Sequence, residues 1–240
     1  MSFDVTFLTL FPEAFPGILD VSIIGRARKQ GIWSCETVDI REFGEGKHRQ
    51  VDDTPAGGGA GMVLRPDIMA KAIDSVDRKK RPLIYMSPRG PTLKQEKVRE
   101  LVSGPGMIIL CGRFEGLDQR VIDEYEIEEI SIGDFILAGG EVAAQTMAEA
   151  CIRLLPDVAG NEESLEHESF ETGLLEHPHY TKPRTWKNRP TPDVLLSGDH
   201  KKIDKWRLEE SLALTKARRP DLYASFKLNL ATNARLKDKS

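Results

Sequence analysis

Along residues 1–155, short apolar runs rich in β-forming residues alternate with segments whose apolar positions recur at helical spacing. The first run, residues 3–10, is followed by a helical pattern over residues 17–30 and by a second run over residues 32–40. Repeated strand-loop-helix units of this size predict an α/β domain, with a mainly parallel sheet and helices on its faces. In such a fold, ligands bind beyond the C-terminal ends of the strands.

The rest of this domain continues the alternation. We predict further strands over residues 82–86, 107–111 and 127–132, and helices from Pro66 to about Lys80 and over residues 94–102, 118–124 and 141–155. Residues 41–61 lose the periodicity and fill with Gly, Asp and basic residues. They therefore predict a long loop.

The charge of the chain changes sign near Thr181. Residues 1–181 hold 19 Lys and Arg against 31 Asp and Glu, a net charge of −12, whereas residues 182–240 hold 15 against 7, a net charge of +8. The stretch before this basic part is rich in Pro, His and Glu and has little periodicity, as in a linker. We therefore predict an α/β ligand-binding domain over residues 1–157, an interdomain linker over 158–198 and a small helical domain over 199–240. A mobile tail is expected from about Lys227.

Several classes of protein and site are disfavoured. No apolar run approaches the roughly 18 residues of a membrane span, and residues 1–15 lack the basic start of a signal peptide, which predicts a cytoplasmic protein. Cys35, Cys111 and Cys151 are widely spaced and form no C-x-x-C motif, as expected of buried thiols in a reducing compartment. His177 and His179 have the spacing of metal ligands, but no third ligand clusters with them, so we predict no protein-bound metal.

Three glycine-rich segments are candidate ligand loops: residues 57–61, 111–116 and 132–141. None has the Lys-Ser/Thr pair of a P-loop, and no G-x-G-x-x-G lies between a strand and a helix. Glycine is the default residue of tight turns, but it also lets the backbone approach a ligand closely. Because the second and third segments follow adjacent strands, the pattern favours a site at which main-chain groups bind a ligand.

Four segments carry a specific resemblance to a known family. Ser87-Pro88-Arg89-Gly90, residues 111–120 (CGRFEGLDQR), residues 131–141 (SIGDFILAGGE) and Pro178-His179-Tyr180-Thr181, in this order, resemble the bacterial tRNA (guanine-N1)-methyltransferases of the SPOUT superfamily. The similarity includes residues 57–62, residues 195–200 and Trp206-Arg207, and so covers nearly the whole chain.

This resemblance implies a fold and a cofactor that the residue pattern does not. Chains avoid threading, so the pattern alone predicts an unknotted doubly wound sheet, whereas the family implies a deep trefoil knot that binds S-adenosyl-L-methionine. Motif matching implies a cofactor pocket formed by Tyr85, Ser87, Pro88, Gly112, Glu115, Gly116, Ile132, Gly133, Asp134, Phe135, Ile136, Leu137, Gly139 and Gly140.

The family also implies a reaction, the methylation of N1 of the guanine immediately 3′ to the tRNA anticodon by a homodimer whose site combines both subunits. A base must remove the N1 proton. The family's Asp in this role aligns with Glu168, which keeps the carboxylate on a side chain one methylene longer. Arg153 matches the arginine that holds the guanine and offsets its developing negative charge. A dependence on Mg²⁺ is implied as well, to which we assign no protein ligands.

The basic C-terminal part is suited to contacts with tRNA phosphates, and the family resemblance implies the anticodon stem-loop as the partner. Its cations are interleaved with Trp186 and Trp206. Because Trp206 has helical spacing with Leu208 and Leu212, we expect it to be a core residue and not a platform for base stacking. Two alternatives remain on the same fold: a ribose 2′-O-methyltransferase and a non-catalytic RNA-binding factor. A ribose enzyme needs no carboxylate at a base edge, and a binding factor needs no paired glycine loops, so the two features together favour a base methyltransferase.

Overall fold

A computed structural model describes residues 2–160 and 168–237 of the chain. The chain divides into two compact units, residues 1–160 and residues 161–240. Within the described ranges, no helix combines the length and the apolarity that crossing a membrane requires. The finer division into residues 1–157, 158–198 and 199–240 stays a prediction.

A five-stranded parallel sheet forms the centre of the first unit. The chain forms β1 (Phe3–Thr9), β2 (Trp33–Asp39), the short antiparallel pair β3 (Asp52–Asp53) and β4 (Val63–Leu64), then β5 (Leu83–Met86), β6 (Gly106–Cys111) and β7 (Glu128–Ile130). The large sheet has the order β2-β1-β6-β5-β7, and all its neighbouring strands are parallel. The predicted α/β fold with a mainly parallel sheet is therefore confirmed.

Helices cover both faces of the large sheet. Those on one face are α1 (Ser22–Lys29), α3 (Gln95–Val102) and α5 (Glu141–Ile152), and those on the other are α2 (Pro66–Asp74) and α4 (Gln119–Glu124). Successive side chains of a strand point to opposite faces, so Met107 and Ile109 enter the first core while Ile108 and Leu110 enter the second. Because both faces are covered, β6 is buried along its whole length.

Several helices are shorter than predicted, and α5 ends at Ile152 instead of near Leu155. Residues 17–20 form a separate 3₁₀ turn, and the extended backbone of Val21 lies between this turn and α1. The second helix, α2, ends at Asp74 instead of near Lys80. Lys79 and Lys80 have φ angles of 46° and 65°, which belong to the left-handed region and cannot continue a right-handed helix. The apolar spacing identified the segments but not where the backbone leaves the helix.

The second unit contains, in its described part, a short hairpin followed by helices. The hairpin pairs β8 (Thr185–Trp186) with β9 (Arg189–Pro190), and the helices are α6 (His200–Arg218) and α7 (Pro220–Lys237). Part of the predicted linker packs within this unit, because Leu174 is buried and the Leu175 N–H donates to Thr215 Oγ1 at 2.8 Å. The tail expected from about Lys227 is helical as far as Lys237, where α7 ends, and its mobility stays a prediction.

The buried face of α6 differs from the one that its apolar spacing predicts. Ile203, Ser211 and Thr215 are buried, whereas Leu208 is 52% exposed. Thr215 is accommodated in the interior because its hydroxyl donates to the Ser211 carbonyl at 2.6 Å, so its polar group is satisfied without water. Trp206, for which the spacing predicts a core position, is half-buried.

Candidate functional site

A cavity of about 250 Å³ opens beyond the C-terminal ends of β5, β6 and β7. Parallel strands end at the same edge of a sheet, so the loops that follow them converge there. The cavity is lined by Tyr85, Met86, Ser87, Pro88, Gly112, Arg113, Phe114, Glu115, Gly116, Ile130, Ser131, Ile132, Gly133, Phe135, Ile136, Leu137, Ala138, Gly139, Gly140 and Ala143. It thus lies where the glycine loops predict a ligand site.

The structure brings thirteen of the fourteen residues predicted for the cofactor pocket around this one cavity. The exception is Asp134, whose side chain is exposed and does not line it. The lining residues that were not predicted, Met86, Arg113, Phe114, Ile130, Ser131, Ala138 and Ala143, lie within three positions of predicted ones. Contiguity along the loops would therefore have identified them.

At Gly112 and Gly140, the main chain itself forms the back of the cavity. A Cβ on Gly112 would lie 2.5 Å from the Tyr85 ring, and a Cβ on Gly140 would lie 2.8 Å from the Cα of Cys111. The Gly140 N–H donates to the Gly112 carbonyl at 2.9 Å, which joins the third glycine loop to the second. Neither position has room for a side chain, so peptide groups form this wall.

The buried Tyr85 side chain packs against the second glycine loop. Tyr85 is 5% exposed, and a Cβ on Gly116 would lie 2.6 Å from the Tyr85 hydroxyl. Burial is the main cause that raises the pKa of Tyr85 above its usual value. The phenol is therefore neutral at physiological pH and is not available as an anionic base.

The first glycine segment, residues 57–61, lies beside the second. Its four glycines all have positive φ, the region that favours glycine over other residues. The chain that follows pairs with the second loop, because the Glu115 N–H donates to the Met62 carbonyl and the Leu64 N–H donates to the Gly116 carbonyl, each at 2.9 Å. The first segment therefore supports the rim of the cavity at Glu115.

An ion pair joins Arg113, a half-buried residue that lines the cavity, to the buried Glu141. Arg113 Nη2 and Glu141 Oε2 are 2.9 Å apart, and Glu141 is 4% exposed at the first turn of α5, where the helix dipole favours an anion. The Thr9 hydroxyl donates to Glu141 Oε1 at 2.9 Å, and the Arg113 guanidinium lies 4.3 Å from the centroid of the Phe11 ring. Arg113 also donates to the Ala138 carbonyl at 3.2 Å. The pair thus links the C-terminal ends of β1 and β6 to the third glycine loop and to α5.

The cysteines carry no nucleophilic character. Burial raises the pKa of Cys35 to about 11 and that of Cys151 to about 12, and it raises the pKa of Cys111 well above its usual value. Cys111 directly precedes Gly112 in the wall of the cavity, but its thiol is protonated at neutral pH. A thiolate nucleophile is therefore excluded at this cavity.

The two residues predicted for catalysis do not line the cavity. Arg153 is half-buried at the C-terminal end of α5, in the first unit. Glu168 belongs to the second unit, where it begins a turn in which the Glu171 N–H donates to the Glu168 carbonyl at 3.3 Å. His167, which precedes Glu168 in the matched motif, lies outside the described residues.

The hairpin of the second unit presents cations around an aromatic ring. Trp186 is 58% exposed, and Lys187 Nζ lies 4.9 Å from its ring centroid. The neighbouring cations Lys182, Arg184 and Arg189 are also exposed. Within the described part of the chain, none of these four basic side chains forms an ion pair. An exposed ring with free cations suits the bases and phosphates of a single-stranded nucleic acid.

The basic residues of α6 are in a different situation, because several are paired with acids nearby. The pairs are Lys202 with Asp199, Lys205 with Glu209 and Arg207 with Asp204. Exposed pairs of this kind contribute little to stability, but they reduce the positive field of the helix. The hairpin is therefore the stronger candidate for a nucleic-acid surface in this unit.

Comparison with known proteins gives one consistent result. A family model described as tRNA (Guanine-1)-methyltransferase TrmD matches residues 1–225. A protein of Brucella ovis named tRNA (guanine-N(1)-)-methyltransferase is 58% identical over 224 residues, which cover 93% of this chain and 92% of that protein. Proteins of the same name from Brucella suis and Brucella abortus are also 58% identical over 224 residues, covering 93% of this chain and 91% of each of them.

Proposed function

The chain belongs to the tRNA (guanine-1)-methyltransferase family TrmD, and we propose that it transfers the methyl group of S-adenosyl-L-methionine to N1 of the guanine immediately 3′ to the anticodon of tRNA. The observation that carries this proposal is the cavity beyond β5, β6 and β7, whose back wall consists of peptide groups from two glycine loops. Such a wall offers main-chain donors and acceptors to the edge of an adenine or a ribose.

The lining residues fit S-adenosyl-L-methionine in their chemistry. Gly112, Gly139 and Gly140 would hold its polar edges through main-chain groups, and Ile132, Ile136 and Leu137 would contact its apolar parts. Ile136 is 79% exposed, and an apolar side chain left open at a cavity mouth is suited to cover by a ligand or partner. When bound, the methyl donor supplies an electrophilic methyl group on a sulfonium.

Methylation of guanine at N1 requires a base, because N1 carries a proton at neutral pH. We assign this role to Glu168, whose carboxylate accepts the N1 proton while the N–C bond forms and the S–C bond of the donor breaks. Negative charge develops toward guanine O6, and we assign Arg153 to offset it. The roles of both residues rest on the motif match.

We also propose that the first unit contains the trefoil knot of this family. The strand β7 lies at one edge of the sheet, whereas the next helix, α5, packs in the core against β1 and β6. Residues 131–140 must therefore cross the ends of β5 and β6. At the start of this crossing, the Ser131 N–H donates to the Pro91 carbonyl at 3.0 Å and the Leu93 N–H donates to the Ser131 carbonyl at 2.7 Å. These hydrogen bonds join the crossing segment to the earlier loop after β5, and this arrangement supports a knotted path of the chain.

An exposed apolar surface at the start of α5 supports a homodimer. Val142 is 61% exposed and Ile18 is 64% exposed. They belong to one region because Gln145, one helical turn beyond Val142, donates to the Ala14 carbonyl at 2.7 Å, and a Cβ on Gly17 would lie 2.6 Å from Gln145. Apolar patches on a protein surface commonly mark interfaces. We propose that a second copy of this chain covers the apolar patch around Val142 and Ile18.

Val142→Glu is expected to convert the dimer into a monomer, because the carboxylate would be buried in the interface without a partner. Sedimentation equilibrium at micromolar concentration measures the mass. Leu208→Glu is the matched control, since Leu208 is a similarly exposed apolar residue on α6 of the second unit, and it should remain dimeric. A monomeric wild-type protein would overturn the dimer, and a dimeric Val142→Glu variant would place the interface elsewhere.

For the tRNA partner, we propose the β8–β9 hairpin as a contact with the anticodon stem-loop. Trp186→Ala is expected to weaken tRNA binding roughly tenfold, because stacking of one base on an aromatic ring contributes about 1–3 kcal/mol. Fluorescence anisotropy with labelled tRNA at a fixed salt concentration measures the affinity. Trp186→Phe keeps an aromatic ring for stacking and should therefore lose much less tRNA affinity. Unchanged binding by Trp186→Ala, or equal losses in both variants, would remove Trp186 as a stacking residue.

The activity itself is tested with purified protein, donor labelled in its methyl group and tRNA transcripts that carry guanine or adenine after the anticodon. Label is expected in the guanine transcript alone, and nucleoside digestion should yield 1-methylguanosine. A 2′-O-methylated nucleoside would favour the ribose enzyme, binding without transfer would favour the non-catalytic factor, and equal labelling of both transcripts would contradict the proposal.

Two further properties are proposed on the family resemblance. A cytoplasmic location follows from the tRNA substrate, and a dependence on Mg²⁺ follows from the family reaction. No residue of this chain is assigned as a Mg²⁺ ligand.

A further inference from the structure

The segment between the predicted base and the hairpin brings three metal-ligating side chains together. Glu176, His177 and His179 each have one ligand atom in a group whose members all lie within 4.8 Å of one another. His179 Nε2 is 2.9 Å from Glu176 Oε1. The sequence suggested no metal because the two histidines lacked a third ligand, and the structure supplies the third ligand as Glu176.

Two of these ligands are oriented by neighbouring groups. His177 Nδ1 lies 3.2 Å from the Pro178 carbonyl oxygen, and a proton on Nδ1 would donate to this oxygen and leave Nε2 as the free ligand atom. Hydrogen bonds from the second ring nitrogen to a carbonyl are the usual support of a metal-binding histidine. The Glu176 N–H donates to Ser169 Oγ at 3.0 Å, which holds the backbone of the third ligand.

The segment is also attached to the helices of its own unit. The His177 ring centroid is 6.3 Å from that of Trp206 on α6, and the Tyr180 ring is 6.1 Å from the same indole. Leu174 is 4% exposed. The ligands are therefore presented from a packed segment, which reduces the conformational entropy that metal binding would otherwise lose.

We propose that Glu176, His177 and His179 form a binding site for a divalent transition-metal ion, with Zn²⁺ as the principal candidate. Two imidazole nitrogens and one carboxylate oxygen are a ligand set that Zn²⁺ accepts in four-coordinate sites, with water as the fourth ligand. Mg²⁺ prefers an all-oxygen octahedral shell, so this site is distinct from any Mg²⁺ requirement of the reaction. Zn²⁺ would replace the direct contact of His179 with Glu176 by a bridge through the ion.

The proposal does not depend on the proposed function and is tested by binding alone. Untagged full-length protein, freed of metal with a chelator, is titrated with Zn²⁺ by calorimetry at neutral pH. We expect one ion per chain in the wild type. In both His179→Ala and Glu176→Gln we expect a loss of affinity of at least about tenfold, because losing even a group that only supports a ligand costs about 10- to 100-fold. His200→Ala, which removes an exposed histidine at the start of α6, is the matched control and should bind as the wild type does.

Co²⁺ gives a second, spectroscopic readout of the metal site, and the folding of each variant is measured separately. Bound in place of Zn²⁺, it should produce a visible absorption band in the wild type and in His200→Ala, and the band should be displaced by Zn²⁺ but not by Mg²⁺. Circular dichroism establishes that each variant keeps its helices. Absence of Zn²⁺ binding to the wild type, or wild-type binding by folded His179→Ala, would overturn the site.

Discussion

Glu168→Ala is expected to lower the rate of methyl transfer at least about 100-fold, while the affinity for S-adenosyl-L-methionine stays within a few-fold of the wild type. A positioned general base contributes on the order of 10²–10⁴-fold to a rate, and the N1 proton of guanine has to leave before or during the transfer. The donor should still bind because Glu168 does not line the cavity. Single-turnover methylation of a tRNA transcript measures the rate, and calorimetry measures the affinity.

Two companion variants separate the carboxylate from the turn that carries it. Glu171→Ala removes another acid from the same turn and should keep the rate near that of the wild type. Glu168→Asp introduces the residue that the family carries at this position, so a higher rate would show that the longer side chain costs catalytic geometry. Activity of Glu168→Ala close to the wild type would eliminate Glu168 as the base, and equal inactivity of Glu171→Ala would attribute the loss to the turn.

Gly140→Ala is expected to weaken donor binding by on the order of 100-fold and to lower the free energy of unfolding by about 1–3 kcal/mol, as overpacking does in a close-packed interior. Gly140 has φ −79° and ψ −9°, which alanine adopts freely, so the effect is steric. The new methyl group would lie 2.8 Å from Cys111 Cα and 2.9 Å from Gly112 N, and these are backbone atoms that no rotamer change can move. The two glycine loops would have to separate.

The matched control for this substitution is Gly104→Ala. Gly104 precedes β6 in the same unit, and the nearest atom to its added Cβ is the Leu101 carbonyl oxygen at 3.4 Å, an ordinary contact. Calorimetric titration with the donor and urea unfolding are measured on both variants. Normal donor affinity in Gly140→Ala would mean that the back wall of the cavity does not bind the donor. A comparable loss in Gly104→Ala would mean that the effect is not specific to the cavity.

The strands and the position of the cavity were accessible from the sequence because their signals are local. Residues 107–111 form an unbroken apolar run, which is typical of a strand buried on both faces, and the structure extends it by one residue at Gly106. The glycine loops follow such strands directly, and general topology places ligand sites at that edge of a parallel sheet. The lining of the cavity accordingly includes all but one of the residues predicted for the cofactor pocket.

Local sequence patterns predicted burial and charge less well where a polar group forms a hydrogen bond or ion pair with a residue elsewhere in the chain. On α6, the apolar spacing indicated Leu208, but Thr215 occupies the interior because its hydroxyl is bonded to the Ser211 carbonyl and to the Leu175 N–H. The basic residues of the second unit also looked equivalent in the sequence. Only their distances to carboxylates separate the paired cations of the helix from those near the hairpin, which form no ion pair with any residue that the structure describes.

The sequence by itself determined the alternation of strands and helices, the glycine loops at the strand ends and the family, because each of these can be recognised from short runs of consecutive residues. The tertiary structure alone decided which distant groups meet. Thr9 and Glu141 are 132 positions apart, yet their side chains share a hydrogen bond, and Glu141 pairs with Arg113 next to the cavity. Such contacts depend on how the sheet orders its strands and on where the chain crosses them, and neither leaves a periodic signal in the sequence.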